Sequence, residues 1–235
     1  MKQSFTASRT AEPLEFFELL FRFFRALPVY LRKSCAFPII APKSPAAVPP
    51  LLPMFQISRD DPAYYLTSVT HKRLPIFRVD EIKKVVVDAF NEARISGAIL
   101  IFAYVIMPDH THLLTDNARA IKDVLRFMNG ISAKRVIDHL KTGDHERSLA
   151  KLRIEERENK YKHSVYEHHP NAFRVTGEDA FMEKVNYIHL NPVRAGLVKH
   201  PDEYMYSSAR IWHRRALENE PLAVDIDKIK WRAAA

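Results

Sequence analysis

An α+β domain, an antiparallel sheet with helices packed on one of its faces, is the fold class predicted by three observations on this sequence. From residue 62 onward the apolar residues switch between the two-residue period of strands and the 3.6-residue period of helices. The resulting order is strand, helix, two strands joined by a tight turn, helix, strand, helix. No internal repeat is visible, and no apolar run reaches the length that spans a bilayer. The chain has 235 residues, 47% hydrophobic and 27% charged, which allows one full core plus appendages.

The elements follow in order. Tyr64–Val69 alternates and is rich in aromatic and β-branched residues, so it reads as a strand. Over Val79–Ser96 the spacing of Ile82, Val85, Val86, Ala89 and Phe90 predicts a helix, with Gly97 as its stop. Ala98–Met107 is a largely buried strand, Pro108-Asp109 a turn, and His110–Thr115 a strand pairing back as a hairpin. Arg119–Leu140 is helical, with a bend expected at Gly130, and the charged stretch 141–162 reads as a flexible connection. Ser164–His168 is the fourth predicted strand, and Glu178–Asn191 a last helix stopped by Pro192.

Three regions follow: an N-terminal extension over 1–53, a catalytic-type domain over 54–210, and a C-terminal tail over 211–235. Glu12 to Leu27 is a phenylalanine-rich amphipathic pattern with a stripe of Glu15, Glu18, Arg22 and Arg25, and prolines break the stretch from Pro38 to Pro53. The charges and the lack of a small-residue cleavage site argue against a signal peptide. Translation is expected to start at Met54, the alternative being a membrane-surface or partner-binding helix. The single cysteine, Cys35, excludes an internal disulfide and any multi-cysteine metal site. Of the net charge of +8, half falls in residues 1–60, with eight basic and four acidic residues. The remaining surplus permits a polyanionic partner without demonstrating one.

Two segments carry chemistry. His110 and His112 stand at i and i+2 of a strand, on one face and ~7 Å apart along the chain, where two imidazoles can share a cation. Strand histidines are also commonly plain surface residues. In the last helix Tyr187 and Asn191 are one turn apart, displaced from the core stripe of Phe181, Val185 and Ile188. Taken singly, they read as a half-buried tyrosine and an asparagine before a proline turn.

Together the segments resemble a known family. Tyr104-Val-Ile-Met-Pro-Asp-His-Thr-His-Leu-Leu114, then Tyr187-Ile-His-Leu-Asn-Pro-Val-Arg-Ala-Gly-Leu-Val198 and Pro201-Asp-Glu-Tyr-Met-Tyr-Ser-Ser208, are similar to the single-tyrosine HUH transposases, in particular the REP-associated tyrosine transposases. The resemblance covers residues 62 to 210. It implies the HUH endonuclease fold, a ferredoxin-like antiparallel sheet with the histidine pair on a central strand. It further implies that His110, His112 and Asn191 hold Mg²⁺ or Mn²⁺, with no nucleotide cofactor, and that Tyr187 is the nucleophile. The implied reaction cuts and rejoins single-stranded DNA beside a hairpin through a 5′-phosphotyrosine. A homodimer in the bacterial cytoplasm, associated with the nucleoid through DNA, is expected on the same ground. The sequence departs from the family at Thr111, where a bulky apolar residue is usual, and at Tyr161-Lys-His-Ser-Val-Tyr-Glu-His-His-Pro170, where a tryptophan signature is usual. Alternatives on the same fold are a hairpin-binding protein that does not cut and a metal-dependent phosphoester hydrolase using water.

Lys122, Arg126, Lys134 and Arg135 are candidates for contact with a DNA backbone, or else the solvated face of an amphipathic helix. Arg194, just after the last helix, is a further phosphate-contact candidate, and Lys184 a candidate to assist the tyrosine. Glu167, His168 and His169 form a rival metal cluster whose neighbours on a strand would face opposite ways. Tyr161, Tyr166, Tyr204 and Tyr206 are rival nucleophiles.

Overall fold

The computed structural model describes residues 54–143, 145–154 and 163–232, so the predicted N-terminal helix and linker, Cys35 and Tyr161 lie outside the described residues. Its four strands are β1 (Ala63–Val69), β2 (Ile101–Ile106), β3 (His110–Thr115) and β4 (Asn171–Val175). They form one sheet in the order β2-β3-β1-β4, every pairing antiparallel. Helix α1 (Asp80–Gly97) joins β1 to β2, and α2 (Ile121–Thr142) with the short α3 (Glu146–Lys151) joins β3 to β4. This βαββαβ order is the ferredoxin-like one, with β3 in the interior. Helix α4 (Glu178–Arg194) and the single turn α5 (Ala209–Trp212) follow.

The helices occupy both faces of the sheet rather than one. Ser68 of β1 donates a hydrogen bond to Asn129 of α2, whereas its neighbour Thr67 bonds His112, beside the ring of Tyr187 on α4. Successive strand residues point to opposite faces, so α2 and α4 lie on opposite sides. Burial on both faces explains why β2 is apolar along its whole length and buried throughout.

Several ends differ from the predicted ones. The left-handed residue that terminates α1 is Ala98 (φ 48°), one beyond Gly97. Gly97 answers a packing demand instead: a Cβ there would meet Ile99 Cδ1 at 2.7 Å and Phe127 Cγ at 3.3 Å. Helix α2 runs through Gly130 as one element. Within the stretch read as a connection, α3 forms and buries Leu152 beside it.

The fourth strand is Asn171–Val175, not Ser164–His168. The earlier segment does run along the end of β1, with a bridge from Tyr166 to Thr70, but Pro170 lies between it and β4. A proline has no N–H for a ladder, and the pairing resumes only after it. Pro192 does not stop α4 either. Coming in the last turn, it removes one helical N–H, and the helix closes at Gly196 (φ 66°). There Leu197 N–H bonds Pro192 O and Gly196 N–H bonds Val193 O, a Schellman ending.

Part of the segment beyond 210 packs back onto the domain, although residues 213–219 are exposed. Leu222 and Ile229 are buried, and Phe55 and Ile229 form a parallel bridge. Residues 204–208 pair with the outer edge of β2 through Tyr206 O and the Ser208 amide, which covers that edge.

Candidate active site

The register of the sheet builds the floor of an open cleft. Val69 lies opposite His110 and Thr67 opposite His112, so side chains from β1 and β3 share the face beneath α4. The two imidazoles converge to 4.8 Å between ring centres, as their i, i+2 spacing implied. The Nδ1 of His110 bonds the Asp109 carboxylate at 2.6 Å, and Arg73 pairs with the same carboxylate at 3.1 Å. Burial alone would raise the Asp109 carboxyl, but its bonds and charge contacts with His110 and Arg73 hold it below the usual carboxylate range.

His112 Nδ1 lies 2.9 Å from both the Tyr65 hydroxyl and the Thr67 hydroxyl. The tautomer that gives this N–H to the two oxygens leaves Nε2 with its lone pair toward the cleft. Burial, reinforced by the neighbouring His110, pushes the His112 imidazole down to about 3, while Asn191 and Asp109 pull the other way. His112 is therefore neutral near pH 7, the state in which an imidazole ligates a metal.

Helix α4 closes the cleft from above. Its buried stripe of Phe181, Val185 and Ile188 fixes its rotation. That rotation leaves Tyr187 on the cleft side, 39% exposed, with its ring 5.5 Å from His112. Asn191, one turn on, bonds the Tyr187 carbonyl and reaches the His112 imidazole. The Arg194 guanidinium lies over the Tyr187 ring at 5.0 Å, and the Lys184 ammonium over Tyr65 at 5.7 Å. The cleft, about 440 Å³, is walled on its outer side by Asn171 and Phe173 of β4.

His110, His112, Tyr187, Asn191, Lys184 and Arg194 thus converge. The other predicted DNA contacts do not: Lys122, Arg126, Lys134 and Arg135 all lie on α2, behind the sheet. Three of them pair with acids there, Arg126 with Asp123, Lys134 with Asp138 and Arg135 with Glu92. Glu167 accepts the Lys72 amide and faces His71, away from any shared metal geometry with His168 and His169. Tyr166, Tyr204 and Tyr206 are buried, their hydroxyls engaged by Ser132, Ile106 O and Asp80 O. The sequence reading missed Tyr65, Thr67, Asp109 and Phe173. Adjacency to His110 could have found Asp109; the others needed the register.

Fold and site together define a ferredoxin-like domain with a paired-histidine floor and an exposed tyrosine above it. No family model and no curated protein matches the chain. Among solved structures it is similar to a REP-associated tyrosine transposase bound to a REP hairpin, at 15% identity and a TM-score of 0.49, over 70% of this chain and 87% of that one. It is also similar to a candidate transposase of Deinococcus radiodurans R1, at 19% identity and a TM-score of 0.39, over 55% of this chain and 88% of that one.

Proposed function

We propose that this chain is a single-tyrosine transposase-type nuclease that cuts and rejoins single-stranded DNA beside hairpins, with Tyr187 as nucleophile. The observation that carries the reading is the exposed Tyr187 ring 5.5 Å from a neutral His112, in a cleft that also holds His110 and Asn191, with Arg194 over the Tyr187 ring. The motif resemblance supplies the reaction class, and the geometry supports it.

The donor set fits a divalent ion. Both histidines have Nδ1 engaged by oxygens, so each offers Nε2, and Asn191 offers its amide oxygen. Such an ion, Mg²⁺ or Mn²⁺, supplies charge stabilisation of the scissile phosphate; imidazole donors favour Mn²⁺. The remaining work falls to the chain. The Tyr187 oxygen forms a bond to phosphorus, the bond from phosphorus to the 3′ oxygen breaks, and the phenolic proton ends on the departing 3′-hydroxyl. Arg194, over the phenol ring, places a positive charge where it can meet the scissile phosphate. The 5′-phosphotyrosine conserves the bond energy, so attack by a second 3′-hydroxyl reseals DNA without a nucleotide cofactor.

The test is a covalent-adduct assay with Mn²⁺ and labelled single strands from both flanks of the native gene. A protease-sensitive, slow-migrating band is expected with the intact protein and absent with Tyr187→Phe and His110→Ala. A band that survives Tyr187→Phe removes the nucleophile assignment. Strand turnover without any adduct points to a hydrolase using water, and hairpin binding without either points to a non-cutting binder.

A further inference from the structure

We infer a second metal site, built by Glu81, His139 and His145 on the helical layer behind the sheet, that takes Zn²⁺ or a similar borderline divalent cation. It rests on none of the residues assigned above. Glu81 stands in the first turn of α1, His139 in the last turn of α2, and His145 at the start of α3. One ligand atom from each lies within 4.8 Å of the other two.

Three observations separate this cluster from a chance meeting of polar side chains. The His139 Nε2 is shielded from solvent and has no hydrogen-bond partner among the described residues, which is costly unless something else occupies its lone pair. Its neighbour is Glu81 Oε1 at 3.4 Å, longer than a good hydrogen bond. That separation matches the ~3.4 Å between two ligand atoms on a tetrahedral ion with bonds of about 2.0–2.1 Å. The surroundings also suit a cation. His139 lies at the negative end of the α2 dipole, and the adjoining cavity has apolar walls from Leu74, Ile82, Leu140 and Leu152.

Two imidazoles and one carboxylate are a zinc donor set, with a fourth position left for water. The carboxylate of Glu81 adds a negative charge that the neutral donor set beneath Tyr187 lacks, which favours tighter binding of a divalent cation at this site. Its role is a clamp. It ties the start of α1 to the end of α2 and the connector just after it, which lie far from α1's start in sequence, and restricts the unfolded chain accordingly.

The test uses untagged full-length protein, stripped with a chelator, equilibrated with zinc and freed of excess by gel filtration. Metal content and thermal unfolding are then read for the intact protein, for His139→Gln/His145→Gln and for His110→Gln/His112→Gln. The first double variant is expected to hold about one zinc equivalent fewer than the intact protein and to lose the zinc-dependent rise in Tm. The second is expected to keep that rise. The conservative, surface-exposed Glu81→Gln is expected to weaken zinc binding about tenfold or more while folding normally. Equal zinc content and an equal Tm response in the intact protein and the His139/His145 variant would overturn the proposal, whatever becomes of the Tyr187 reading.

Discussion

The side chains of β3 divide by parity, and the two faces ask opposite things of them. His110 and His112 need a polar surround that fixes their tautomers, and Asp109, Tyr65 and Thr67 provide it. Thr111, between them, points into the helical layer, 1% exposed, and its hydroxyl has no hydrogen-bond partner among the described residues. A buried hydroxyl left unpaired costs about 1–3 kcal/mol, and valine fills the same volume without it. Thr111→Val should therefore raise the urea-unfolding free energy by about 1 kcal/mol. Adduct formation should not change, since the side chain faces away from the cleft. A loss of stability would mean that the hydroxyl finds a partner in solution. At this scale function that rests on neighbours in the chain is open to reading, as with the His110 and His112 pair; Asp109, beside His110, was within the same reach but was missed. Tyr65 and Thr67 were hidden because their meeting with His112 depends on the β1–β3 register, which no local pattern encodes.

Among the elements, legibility follows how completely one face is buried. Helix α1 and strands β1 to β3 carry dense apolar patterns and were readable to within a few residues. Strand β4 was not. It is an edge strand with only Val175 buried, so its sequence, Asn-Ala-Phe-Arg-Val, shows little alternation to distinguish it from a loop. That openness gives β4 its proposed use. Phe173, 57% exposed, stacks beside Tyr65 at 6.4 Å and walls the cleft beneath Tyr187, where it can receive an unpaired base. Base stacking on an aromatic side chain is worth ~1–3 kcal/mol. Phe173→Ala is accordingly expected to weaken binding of a labelled single strand about tenfold, read by fluorescence anisotropy, with little change in Tm. Unchanged affinity in a folded variant would remove β4 from the DNA path.

At the scale of the whole molecule, the segment after residue 210 closes the structure through a buried polar network, and burial of this kind leaves no periodic signal in sequence. Asp225 exchanges backbone hydrogen bonds with the start of β2: its amide bonds Ile101 O, and its carboxylate accepts the Ile101 amide and pairs with Arg94 of α1. One residue before Ile101, Leu100 donates its amide to the Asp116 carboxylate. Two carboxylates are thus buried near each other, and Arg94 pairs with one of them, Asp225. Burial, together with the charge of Asp225, pushes Asp116 up from 3.8 to about 6. A carboxyl whose folded value lies above its unfolded one is protonated in the native state at pH values where the unfolded chain has already ionised it. Its contribution is therefore complete below pH 3.8 and is lost as the pH rises through about 6, the reverse of a salt-bridged aspartate. The gap corresponds to roughly 2–4 kcal/mol. Asparagine at this position keeps an oxygen for the Leu100 amide and removes the charge. Unfolding free energies of the intact protein and Asp116→Asn, measured in urea from pH 4.5 to 8, should diverge in favour of the variant as the pH rises and level off above about pH 7. Parallel profiles would mean that Asp116 ionises without penalty, and that water reaches the junction of β2, β3 and the C-terminal segment.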